Sequence, residues 1–101
     1  MPRLLSDAEI DSRLKTLKGW SRHGAFIKKT FEFKHFMDGI AFLNEVAAEA
    51  EREEHHPDIH IRYTTITISI QTHSEGGVTE WDIGLAKSIE KTVLENVQKR
   101  G

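Results

Sequence analysis

Along the chain, the spacing of hydrophobic residues switches back and forth between a helical and a strand period. Ile10, Leu14 and Leu17 fall four and three residues apart, which is one face of a helix. The Ser6-Asp7-Ala8-Glu9 stretch in front of them reads as a capping box, hydroxyl and carboxylate each taking the other residue's backbone amide. Gly19 suits the position just past the helix end, so the span is about residues 7–18. Residues 20–22 and 25–33 read as two strands joined by a turn at His23-Gly24, with Phe31 and Phe33 alternating against Glu32 and Lys34. From Phe36 the helical period returns: Phe36, Ile40, Leu43 and Ala47, flanked by Met37, Val46 and Ala50, form a broad apolar stripe. Pro57 disfavours the α conformation at His56, so this second helix should end near His55.

The stretch IHIRYTTITISIQTH carries the strongest strand pattern. Ile59, Ile61 and Tyr63 share one parity and Ile66, Ile68 and Ile70 the other, so a turn falls at residues 63–65 and the segment is a hairpin. Gly76-Gly77 closes its second strand, and Thr79-Glu80-Trp81-Asp82 caps a third helix with Ile83, Ala86, Ile89, Val93 and Val97 facing inward. The order α-β-β-α-β-β-α predicts an α+β two-layer sandwich: one four-stranded antiparallel sheet with helices on one face.

Composition narrows the function. A chain of 101 residues fits one domain, taken here to span residues 1–101, with a modest core. A net charge of −2 gives no reason to expect direct nucleic-acid binding. With no cysteine, thiolate metal sites and thiol nucleophiles are excluded. The opening residues lack the apolar core of a signal peptide, and no apolar run approaches the roughly 20 residues that cross a bilayer. A soluble, cytoplasmic protein is expected, and a domain this small gains burial by oligomerising.

Residues 51–60, EREEHHPDIH, break a local rule. A helix C-terminus prefers cations, yet this one carries Glu51, Glu53 and Glu54 ahead of two histidines and a proline. Of the six histidines, His23, His35 and His60 read as solvated surface. His55 and His56 lie where the helix ends, and His73 lies at the end of the last strand, on the parity of Thr65, Thr67, Ser69 and Gln71. Imidazole exchanges a proton near neutral pH, and the glutamates would favour its charged form and orient one ring. The same acids also fit a solvated helix face, partly offset by Arg52. No metal is expected: adjacent histidines seldom turn both rings to one ion, and no HExxH occurs. Nor is there a GxSxG elbow or a phosphate-cradling glycine loop.

The stretch from Glu51 to Asp82 resembles the signature of the pterin-4a-carbinolamine dehydratases, here Glu51, His55-His56-Pro57, Tyr63, His73 and Asp82. Gly19-Trp20 and FEFKHFMDGIAFLNEVA are similar to the family too, so the likeness covers most of the chain. It implies the sandwich fold, a homodimer or homotetramer, and no metal or organic cofactor. The implied reaction removes water from 4a-hydroxytetrahydropterin to give quinonoid dihydropterin, as in tetrahydrobiopterin recycling for aromatic amino acid hydroxylases. His55 and His73 match the family's acid/base histidines and His56 the one that positions the pterin. Glu54, Thr72, Asp82 and Trp20 complete the candidate substrate-binding set, although Asp82 also fits a capping box with Thr79 and Trp20 also fits a core. Two positions depart from the family: Ile59, where many relatives have an aromatic, and Trp81, where they often carry a charged or polar residue. Two other readings stay open, a pterin-binding protein without turnover and a dimerisation partner of a homeodomain transcription factor, the second role of the mammalian relative.

Overall fold

A computed structural model describes residues 2–95. Helix α1 covers Asp7–Leu14, and its capping box is present: Ser6 Oγ accepts from the Glu9 amide at 3.1 Å, and Glu9 Oε1 accepts from the Ser6 amide at 2.8 Å. Regular helix stops earlier than the periodicity implied. Thr16 and Leu17 instead bond back to the carbonyls of Arg13 and Leu14, three residues away, so the last turn tightens while Leu17 stays buried.

Strands β1 (Ser21–His23) and β2 (Phe26–Glu32) pair antiparallel around a turn in which Gly24 takes a φ of 60°. Helix α2 spans Phe36–Glu53, and β3 (Asp58–Arg62) and β4 (Thr65–Ile70) form the second hairpin. The sheet order is β1-β2-β4-β3, antiparallel throughout. Register explains the shift of parity: Ile59 sits opposite Ile68, Ile61 opposite Ile66, and Ile66 opposite Phe31, so both isoleucine sets lie on one face. A 3-10 turn (His73–Glu75) leads to α3 (Glu80–Ser88), which passes into a π turn at Ile89–Val93. Glu90 in that turn accepts from Lys29 Nζ at 2.9 Å and from Trp20 Nε1 at 3.1 Å. The expected inward position of Val97 lies outside the described residues.

The two longer helices cover one face of the sheet, the α+β arrangement the pattern implied. One detail differs. The row of α2 that enters the core is Gly39, Phe42, Val46 and Ala50, whereas Phe36 and Ala47 are exposed and Ile40 and Leu43 only partly covered. The apolar stripe is wider than the face that packs. Gly39 sets the approach, since a Cβ there would lie 3.0 Å from Ile66 Cδ1. Phe42 is fully buried, its ring 4.8 Å from Phe31 and 5.1 Å from Phe33.

Phe42→Ala should therefore cost roughly 3–5 kcal/mol in urea denaturation, the usual range for emptying an aromatic site in a core. A loss below about 1 kcal/mol would contradict this placement of α2.

Candidate functional site

The acidic end of α2 closes in a left-handed turn. Glu54 adopts φ 53°, ψ 37°, the His55 amide bonds back to the Ala50 carbonyl at 3.1 Å, and the Glu54 amide bonds to Glu51 at 3.3 Å. This is a Schellman cap built on glutamate where glycine is usual. Left-handed backbone costs a side chain about 1 kcal/mol or more, and such strain concentrates at working sites. The three acids separate. Glu51 bonds the His56 Nε2 at the surface. Glu53 is pushed above the ordinary carboxylate range by burial first and by hydrogen bonding to Glu49 second, with the Ser88 hydroxyl opposing. The Arg52 guanidinium, 2.6 Å away, is the main cause holding Glu49 low.

The opposite wall comes from the first turn of α3. Thr79 and Asp82 form its capping box, Asp82 Oδ2 accepting from the Thr79 amide at 2.7 Å. The same oxygen accepts from Thr72 Oγ1 at 2.9 Å, and Oδ1 lies 2.6 Å from His55 Nε2. The residue that caps α3 is thus also the one that bonds His55. Since Thr72 spends its single proton on Asp82, the 2.7 Å bond between the two threonines runs from Thr79 Oγ1 to Thr72 Oγ1, and Thr79 Oγ1 accepts from the Trp81 amide. Every bond in this chain points toward the carboxylate. Asp82 is fully buried and accepts throughout, so His55 Nε2–H donates to it and the ring's Nδ1 is left to exchange a proton.

Thus the structure brings His55, Thr72 and Asp82 into one network, which also recruits Thr79, a residue the sequence had marked only as a cap. His73 follows Thr72 directly, begins the 3-10 turn, and is exposed. The alternation ends at Ile70, so the turn rather than the strand parity sets its position. Among the described residues, none hydrogen-bonds its ring. Trp20 lies in the core, edge-on to Phe31 and bonded to Glu90. A cleft of about 280 Å³ opens beside His55, lined by Arg52, Glu53, Glu54 and Trp81. The Trp81 ring stands 5.9 Å from His55 at 64°. No cluster of three metal-ligating side chains occurs among the described residues. His56 and His60 are four apart, but Pro57 and the start of β3 intervene, so they do not share a helix face.

Known structures place this architecture in a class, the pterin dehydratase-like proteins. The crystal structure of a transcriptional coactivator/pterin dehydratase from Brucella melitensis superposes with a TM-score of 0.84 at 33% identity, covering 87% of this chain and 96% of that one. A pterin dehydratase-like protein identified as a RuBisCO assembly factor in the alpha-carboxysome shares the fold alone, with a TM-score of 0.59 at 22% identity over 70% of this chain and 82% of that one. Within the class, residues 3–92 match the family model described as pterin 4 alpha carbinolamine dehydratase, and this chain belongs to that family. A relative from Roseiflexus castenholzii, named provisionally as a pterin-4-alpha-carbinolamine dehydratase, is 47% identical over 93 residues, 92% of this chain and all of that protein.

Two outcomes follow from the geometry. Thr72→Val should cost about 1–3 kcal/mol in denaturant titration, because it removes a buried donor to Asp82; an unchanged midpoint would show that the bond carries no weight. For Glu53 the sign is fixed by its raised pKa: ionisation opposes folding, so its contribution is intact below the ordinary carboxylate range and lost as pH rises through the raised value. Glu53→Gln should melt above wild type at pH 7 and lose that advantage near pH ~4. An equal gap at both pH values would refute it.

Proposed function

We propose that this chain removes water from 4a-hydroxytetrahydropterin to give quinonoid dihydropterin, with His55 and His73 as the proton-transfer pair, His56 positioning the ring, and tetrahydrobiopterin recycling as the setting. The observation that carries the proposal is the bond from His55 to the buried Asp82. It holds the imidazole in one tautomer and one orientation. The reaction asks for that pairing. An imidazolium gives its proton to the 4a-hydroxyl, the C4a–O bond breaks, and water departs. The second imidazole takes the proton of the adjacent ring nitrogen, whose electron pair forms the new C=N bond. One proton enters and one leaves, so no redox partner is required. The anchored His55 and the unanchored, exposed His73 suit a flat ring held between a fixed wall and an adjustable one.

Stopped-flow absorbance of freshly generated 4a-hydroxytetrahydropterin tests this directly. His55→Ala and His73→Ala should each slow turnover on the order of a hundredfold or more, the weight of general acid–base help. A folded variant at full rate would remove that histidine from the mechanism.

The same reading includes self-association, here through the β3 edge. Among the described residues that strand is unpaired on its outer side; it is exposed along its whole length and presents Ile59 and Ile61 beside exposed Tyr63, which stacks on Phe36. A bare apolar edge of this kind invites a second copy. Sedimentation velocity should find a homodimer or larger that Ile61→Lys dissociates; a monomeric wild type would rule this surface out.

A further inference from the structure

We propose that Trp81 is a positioning residue for His55: Asp82 fixes which ring nitrogen carries the proton, and the Trp81 indole fixes the plane of the ring, so that Nδ1 keeps one line of approach. The role rests on the reading that His55 exchanges a proton with the substrate; the packing itself does not. Histidine geometry creates the need for a second contact. Rotation about Cβ–Cγ is a soft, roughly two-fold torsion, so the side chain does not choose its own ring plane. The Nε2–H bond points mostly along that axis and the Nδ1 lone pair mostly across it. Turning the ring therefore redirects Nδ1 far more than it disturbs a hydrogen bond at Nε2. His55 also lies past the left-handed turn at Glu54, in the link between α2 and β3, where no regular element holds it.

The grip comes from α3. Trp81 and Asp82 are consecutive on its first turn, about 100° apart around the axis, and both reach the same ring. Asp82 Oδ1 lies 2.6 Å from Nε2, and the indole stands 5.9 Å from the imidazole with the planes at 64°, an edge-to-face contact. The Trp81 amide donates to Thr79 Oγ1 at 3.1 Å, so the cap that orients Asp82 also anchors the backbone beneath the indole. The fold does not demand this tryptophan. Glu80 ties α3 to Arg13, Asp82 closes the cap, and Trp81 stays 50% exposed. Its ring lies instead against His55, whose side chain is 12% exposed. A large apolar group left half in water calls for an explanation, and the contact with His55 supplies one.

Carbon-13 relaxation at Cδ2 and Cε1 of His55 reads the ring in the free enzyme, and nitrogen-15 shifts at pH ~8, above the ordinary imidazole range, read its tautomer. In wild type the order parameter should stand near ~0.85, as in rigid backbone, with the proton on Nε2. In Trp81→Ala it should fall below about 0.6 with the tautomer unchanged, because Asp82 remains; Trp81→Phe, which keeps a ring at the contact, should restore it. In stopped-flow turnover of 4a-hydroxytetrahydropterin, Trp81→Ala should lower kcat on the order of tenfold, the upper worth of an edge-to-face pair, with KM within about twofold. Trp81→Phe should recover kcat to within about threefold of wild type. A ring as ordered in Trp81→Ala as in wild type overturns the proposal. So does a loosened ring with unchanged kcat, or a loss carried by KM, which would make Trp81 a substrate contact. If wild type shows no turnover, the dehydratase reading fails, and the relaxation result alone decides whether Trp81 holds the ring.

Discussion

One buried carboxylate organises the end of this protein where α2, α3 and the loop after β4 meet. Asp82 accepts from the Thr79 amide, the Thr72 hydroxyl and His55 Nε2, so a single side chain joins the start of α3, the loop after β4 and the end of α2. A lone carboxylate without solvent is costly, and it is tolerated only where donors surround it. Here those donors come from three separate segments, each of which must be in place for the charge to be met. The requirement therefore fixes more than a side chain. It brings the helix that carries His55 and the turn that carries His73 to one end of the sandwich.

The end of α2 is arranged to suit that demand rather than its own. A left-handed glutamate where glycine would be easier, and three acids at the negative pole of a helix, are local costs. Each acid has a separate outlet: Glu51 meets His56, Glu53 shares with Glu49 and Ser88, and Glu54 forms the cap and lines the cleft. Away from this end, Ile66, Ile68 and Ile70 of β4 are fully buried with Phe42, and Glu90 gathers Lys29 and Trp20, while Tyr63 in the β3–β4 turn is a second side chain in left-handed backbone, at φ 52°. Several departures from local consistency meet at the proposed site, as they do where function overrides stability.

The likeness to a RuBisCO assembly factor shows that this sandwich also occurs in a protein described by a different role. Function is carried by the side chains mounted on a fold rather than by the fold. In this chain the proposed site lies at the α2–α3 junction, where Asp82 bonds His55 and Trp81 packs against it.

Element order, the second hairpin and both capping boxes were legible in the sequence, because they depend on residues a few positions apart: Ser6 with Glu9, Thr79 with Asp82, and the two isoleucine parities around Tyr63. The His-His-Pro run and its acidic turn were legible as an anomaly for the same reason. What local spacing does not encode is which face of a broad stripe packs, so Phe42 rather than Leu43 fills the core once Gly39 lets α2 close on Ile66. Nor does it encode that Asp82 caps a helix and grips a histidine 27 residues away with the same group. Those are long-range contacts, decided only when the layers meet, because a carboxylate has two oxygens and tertiary structure alone chooses what reaches the second.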